Sequence, residues 1–277
     1  MKELTIEVNA NCSLNCVHCS HDSSEEEIDY PGYEVWEVFR DIDAFPEFGK
    51  IRISGGEPFE NSELLVILKG LKSRGKVVEL LSSGVCHDGP VPEEVLGQCK
   101  GLVDNIRFSL YGSREMHERV TRTKGSFDWL NQTIKRTIQN RISFSFGYVL
   151  MKDYFEGFRQ VIELVSYYKR FVDGYCDSHL GVFSLVNQGH GRKIEGITIG
   201  QASELKHMAE VCRSKYDVQV DKSCSFLGER CTAGISKAAI LSKGEIIPCS
   251  ALKEKGIRYR KIEGGRRYNP YCLCRKA

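Results

Sequence analysis

Six strand-like runs alternate with helix-like stretches through the first 190 residues, and few folds accommodate that rhythm. The runs are Leu4–Val8, Lys50–Ser54, Val77–Leu81, Val103–Leu110, Ile142–Leu150 and Leu180–Val186. Helical periodicity fills the gaps near Ser62–Arg74, Glu93–Cys99, Phe127–Asn140 and Phe155–Phe171, and Val35, Phe39 and Ile42 share one helical face after the first strand. Such alternation requires parallel strands joined by crossover helices. Six units fall short of a closed eight-fold barrel, so the expectation is an α/β fold, a partial (β/α)6 TIM-like barrel over residues 1–190. A glycine-rich stretch near Gly191–Gly200, a helix near Ala202–Lys215 and a cysteine-rich tail follow. Residues 191–277 are therefore expected to form a small cysteine-rich β-hairpin domain.

The residues capable of chemistry fall just past the strands' C-terminal ends. These are Cys12, Cys16 and Cys19, then Gly55-Gly56-Glu57-Pro58, Ser82-Ser83-Gly84, Ser109-Leu-Tyr-Gly112 and Asn187-Gln-Gly-His-Gly-Arg192. In a parallel barrel that rim is where strand ends converge and active sites form. Three closely spaced thiolates hold three corners of an iron–sulfur cube and leave the fourth iron open for reaction. Two glycines allow close approach to the backbone, Glu57 offers a carboxylate to an ammonium group, and Pro58 stiffens the turn.

Together, Cys-x3-Cys-x2-Cys and Gly-Gly-Glu-Pro resemble the radical S-adenosylmethionine (radical SAM) superfamily. The resemblance continues through Ser82, Ser109, His117 and Gly125-Ser126-Phe127. It implies a [4Fe-4S] cluster on Cys12, Cys16 and Cys19 whose open iron chelates S-adenosylmethionine. It further implies that Gly55, Gly56, Glu57 and Pro58 contact the cofactor's amino group, with Ser82 and Ser109 also at the cofactor. Arg119 or Arg122 would pair with its carboxylate. His18 is expected to pack against the cluster, His117 to lie on the loop after the fourth strand, and Gly189–Arg192 to match a Gly-Arg element near cofactor and substrate.

In the tail, Ala238–Leu241 and Glu245–Ile247 read as a hairpin turned by Lys243-Gly244, bringing Cys231 and Cys249 to one end. This resembles the shortened auxiliary-cluster module, called twitch, of the SPASM group of radical SAM enzymes. The resemblance implies a second [4Fe-4S] cluster on Cys231, Cys249, Cys272 and Cys274, with Cys224 as a reserve ligand. A structural zinc on the same thiolates is the competing reading. Cys86, Cys99 and Cys212 read as small core residues. Cys176, before the last strand, reads as core filler or as a hydrogen donor to a substrate radical.

Lys plus Arg number 39 against 37 Asp plus Glu, so no global field directs the chain to nucleic acid or a membrane. No apolar run is long enough to span a bilayer, and the first residues lack a signal-peptide core. The chain is expected to be cytoplasmic, where clustered cysteines bind metal rather than form disulfides. Lys253–Ala277 is strongly basic, a solvated surface segment or a patch for an acidic substrate, and Glu25–Asp29 reads as an exposed acidic loop. The resemblance implies an enzyme that cleaves S-adenosylmethionine reductively and abstracts a hydrogen atom from a peptide or protein, giving a crosslink, epimerisation or oxidation. A flavodoxin- or ferredoxin-type protein would supply electrons. Oxidation of an alcohol in a small molecule such as an aminocyclitol is the alternative. A non-catalytic iron–sulfur or zinc protein is a third reading, against which Gly-Gly-Glu-Pro speaks.

Overall fold

The computed structural model describes residues 1–20, 34–172, 174, 176, 179–186, 188–212, 219–222, 236–241 and 244–249. Glu25–Asp29, Cys224, Cys231, Lys243, Cys272, Cys274 and the basic segment Lys253–Ala277 lie outside them.

The chain order is β1 (Glu3–Glu7), α1 (Val35–Ala44), β2 (Lys50–Ser54), α2 (Leu64–Ser73), β3 (Val77–Ser82), a small antiparallel pair β4 (Val85–Cys86) and β5 (Gly89–Pro90), and α3 (Glu93–Cys99). There follow β6 (Asn105–Ser109), α4 (Arg114–Thr121), α5 (Ser126–Gln139), β7 (Phe144–Leu150), α6 (Glu156–Lys169), β8 (His179–Ser184), α7 (Ile199–Val211), β9 (Gln219–Lys222), β10 (Lys237–Ile240) and β11 (Ile246–Ile247). The nine-stranded sheet has the order β11-β10-β1-β2-β3-β6-β7-β8-β9. Only the β10–β11 pairing is antiparallel. The six expected strands are neighbours in chain order, an arrangement consistent with a partial TIM-like barrel.

Period-two alternation gives the sheet two unlike faces. Ile51, Ile53, Val78, Leu80, Ile106, Phe108, Leu180 and Val182 point to the helices and are buried. Each such side chain contributes roughly 1.5–3 kcal/mol of burial. Helix α2 meets them with Leu64, Ile67, Leu68 and Leu71, the spacing that puts four side chains on one stripe. The inner face is polar in its lower half. Glu79 there binds Arg52 at 2.6 Å, Arg107 at 3.0 Å and Lys50 at 3.3 Å, and Glu3 binds Arg52 at 2.9 Å.

Two elements depart from expectation. His117 lies within α4 rather than on a loop. Half of that helix is charged, but Ser113 caps it by accepting from Met116 N, and it buries His117, Val120 and Thr121. The C-terminal hairpin forms with Ala239 opposite Ile247, and β10 runs parallel to β1, so it extends the same sheet.

Candidate active site

The cysteine loop leaving β1 is laced to its surroundings by backbone bonds. Val8 N donates to Ser54 O at 2.9 Å, Gly56 N to Asn9 O at 3.0 Å and Glu57 N to Asn11 O at 2.7 Å. On the other side Asn15 N donates to Thr121 O at 3.2 Å and Val17 N to Val120 O at 2.9 Å. The fit at Gly56 is extreme: a Cβ there would lie 1.9 Å from Asn11 O. The glycine pair was expected to admit a ligand, and what presses on Gly56 is the cysteine loop itself.

The structure also corrects the expected direction of Glu57. Its side chain is buried behind Ser82 and Ser83 and does not line the cavity, with each carboxylate oxygen accepting two bonds. Oε1 takes Phe59 N at 3.1 Å and Ser82 Oγ at 2.8 Å; Oε2 takes Ser83 N at 2.7 Å and Ser83 Oγ at 2.6 Å. Burial nevertheless pushes its pKa up to about 7, against the pull of those donors. Glu57 is a strut between the glycine turn and the end of β3, and Pro58 is buried beside it.

Above this strut lies a cavity of about 270 Å³. Its walls bring together Cys12, Cys16 and Cys19 with Gly55, Gly56, Ser82 and Ser109, from four successive strand ends. Arg107, Tyr111, His117, Gly147 and Phe183 are also among its lining residues. Burial pushes the Cys16 thiol up to about 12, partly offset by the charge of Arg122, and Cys12 is also raised by burial and by Glu57. Arg122 caps α4 in a left-handed conformation at φ 55°, close enough for that effect. Arg119 turns away and sits over the Tyr154 ring at 5.0 Å.

Two neutral histidines face the same space. His18 Nε2 lies 2.7 Å from the Tyr111 hydroxyl, and its Nδ1 is buried with no partner among the described residues. His117 Nδ1 accepts from Tyr111 N at 3.3 Å, leaving a buried Nε2 equally unpartnered. Burial lowers their pKa values to about 4 and about 3, so both rings are uncharged at neutral pH. His190 Nδ1 is 3.1 Å from Cys16 O, so the Gly189–Arg192 segment packs onto the cysteine loop.

Cys176 is not brought to the cavity. Its Sγ bonds Phe144 O at 2.8 Å, at the opposite end of β7, where it cannot reach a substrate at the rim. Cys99 and Cys212 are buried as core residues, and Cys86 Sγ donates to Phe59 O at 3.3 Å. Cys249 lies half-buried just past β11.

The donor set fits an iron–sulfur cluster. Among the described residues no three Cys, His, Asp or Glu side chains are spaced for one metal ion, whereas a cluster takes each thiolate on its own corner. The unpartnered histidine nitrogens beside the thiols fit a polar cofactor.

The Radical SAM superfamily model matches residues 6–165. The chain belongs to the radical SAM superfamily. The family implies a [4Fe-4S] cluster and S-adenosylmethionine. No curated protein matches this radical SAM chain. Among solved structures it is similar to Streptococcus suis SuiB bound to its precursor peptide SuiA, with TM-score 0.75 and 13% identity over 93% of this chain and 61% of that one. It is also similar to anSMEcpe with bound AdoMet, with TM-score 0.65 and 14% identity over 92% of this chain and 76% of that one. A third is the FeFe-hydrogenase maturase HydG from Carboxydothermus hydrogenoformans, with TM-score 0.58 and 16% identity over 76% of this chain and 51% of that one. At these identities the likeness is one of fold, and the chain spans about three fifths of the SuiB chain. Among the described residues no helix is long and apolar enough to cross a membrane.

Sequence reading missed Arg107 and Phe183 as wall residues. Arg107 was findable: it lies two positions before Ser109 on β6 and therefore on the same face.

Proposed function

We propose that this radical SAM protein starts radical chemistry on a peptide or protein substrate. One observation carries the reading: Cys12, Cys16, Cys19, Gly55, Gly56, Ser82 and Ser109 line one cavity at adjacent strand ends. Cys12, Cys16 and Cys19 would hold the cluster. Gly55, Gly56, Ser82 and Ser109 would seat S-adenosylmethionine, with Arg122 beside Cys16 assigned to its carboxylate. A cluster held by these thiolates would supply the one-electron reduction of S-adenosylmethionine on which such chemistry depends. Glu57 and Pro58 act indirectly, by fixing the turn against the cysteine loop. Leu14, Leu81, Val149 and Phe183 exclude water from the reacting carbon, and the uncharged His18 and His117 line it without adding charge.

The peptide substrate is supported by SuiB, solved with a precursor peptide, and by anSMEcpe, solved with bound peptide. An auxiliary [4Fe-4S] cluster on Cys231, Cys249, Cys272 and Cys274, or with Cys224 in place of one of them, belongs to the same proposal. So do a flavodoxin- or ferredoxin-type reductant and a cytoplasmic setting that keeps the thiols reduced.

Oxygen-free reconstitution followed by iron counting tests the cofactors: roughly eight irons per chain support two cubes, and about four leave one. Release of 5′-deoxyadenosine from S-adenosylmethionine under reduction tests the activity. Cys16→Ala is expected to abolish that release, and a variant that still releases it contradicts the ligand assignment.

A further inference from the structure

Arg107 is the one Asp, Glu, Lys or Arg side chain among the described residues lining the cavity. It is held from below. Nη2 pairs with Glu79 Oε1 at 3.0 Å, Nε donates to Ser145 Oγ at 3.3 Å, and the guanidinium lies 5.6 Å from the Phe183 ring centroid. Nη1 has no partner among the described residues.

Two inward-facing glycines make room for the Arg107 and Phe183 side chains, the Phe183 ring standing 3.2 Å from a Cβ at Gly147 and 3.0 Å from one at Gly181. A Cβ at Gly181 would stand 2.9 Å from Arg107 Nη1, and one at Gly147 would stand 3.5 Å from its Cγ and Cδ. Glycine inside a strand marks a place where something must approach closely. Here the two sit side by side, Gly147 opposite Gly181 in the β7–β8 register. Glu79 does not quench the arginine alone, because it is shared with Arg52 and Lys50. Glu3, the other carboxylate of the network, takes Arg52, Lys50 and Lys237. Among the described ion pairs, four cations thus share two carboxylates.

We propose that Arg107 receives a carboxylate of the substrate at the floor of the cavity, from an Asp or Glu side chain or from a free C-terminus. The inference rests on the peptide reading above and sharpens it to an acidic peptide. A guanidinium that lines the cavity, pinned by a carboxylate and a hydroxyl, is pre-organised for a charge-assisted bond to an oxygen anion.

The test uses the full chain, reconstituted without oxygen and saturated with S-adenosylmethionine. Trifluoroacetate, followed by fluorine NMR, is the first probe. It is expected to bind wild type and Arg107→Lys, and to bind Arg107→Gln about tenfold or more weakly. Gly181→Ala, which crowds Nη1 without changing charge, should also weaken it. Three pools of five-residue peptides form the second arm: a central Glu with both ends blocked, a central Gln likewise blocked, and the Gln pool with a free C-terminus. Preference for the first pool assigns a side-chain carboxylate and preference for the third a terminal one; either preference should vanish in Arg107→Gln. Trifluoroacetate binding that is absent, or equal in wild type and Arg107→Gln, overturns the proposal. So does equal binding of all three pools. A comparable loss of S-adenosylmethionine affinity in Arg107→Gln also overturns it, since the carboxylate would then be the cofactor's. Trifluoroacetate binding through Arg107 with no peptide bound at all would keep the anion site and sink the peptide reading.

Discussion

Two buried glutamates hold the two halves of the inner barrel, and they do so by opposite means. Glu57, under the rim, is surrounded by neutral donors: backbone N–H groups and two serine hydroxyls. Glu79, deeper on β3, is surrounded by Arg107, Arg52 and Lys50. Both pay for burial, but only cations reverse its effect on titration. The pKa of Glu57 rises to about 7, whereas that of Glu79 falls to about 2 because the attraction of three cations outweighs its burial. Beneath the thiol site the protein thus avoids a firm extra negative charge, and at the floor it keeps an ionised one.

The sharpest way to break the comparison is to separate the rim from its strut. Gly56→Ala places a methyl group on the Asn11 carbonyl and should cost about 3 kcal/mol or more, since neither backbone can give way. Iron content after reconstitution should fall with it; a variant of normal stability and iron content would show that the loop is not locked there. Next in size is Glu79→Gln, which leaves Arg52 and Arg107 without their shared counter-charge. Because these cations are partly hydrated, a loss of about 2–3 kcal/mol in denaturant unfolding is expected. An unchanged midpoint would mean the network adds nothing to stability.

The smallest effect is on pH dependence, and here the glutamates should pull in opposite directions. The folded pKa of Glu57 lies above its ordinary 4.5, so the native state holds about one more proton there than the unfolded chain. Its contribution is therefore present at low pH and lost as pH rises from about 4.5 to 7. The pKa of Glu79 is depressed, so its contribution is present above 4.5 and is lost as pH falls towards about 2. Glu57→Gln should cost about 1–2 kcal/mol, because an amide cannot accept on both sides, and should flatten the stability profile between pH 5 and 7. An identical slope in wild type and variant would count against the raised value.

The sequence carried the sheet well because its outer face is built from unbroken apolar alternation, as in Lys50–Ser54 and Asn105–Ser109. Helix α4 escaped notice because it buries few side chains and depends on a cap at Ser113. Gly55, Gly56, Ser82 and Ser109 were legible as rim residues since strand ends converge in any such barrel. The side-chain direction of Glu57 was not legible, because it depends on β3 approaching from 25 residues away. Nor was the removal of Cys176 to the far end of β7, which the crossover from α6 decides. Arg107 hid among strand residues whose inward face was read only at its tip.

The parallel pairing of β10 with β1 joins remote parts of the chain. β1 runs directly into the cysteine loop, so the strand delivering all three thiols has a late segment of sequence as its neighbour. A shortened form ending before Ser236 would lay bare the amide edge of Glu3–Ile6, a template for unwanted strand addition. The strand that leads into the thiol site thereby leans on residues more than two hundred positions downstream.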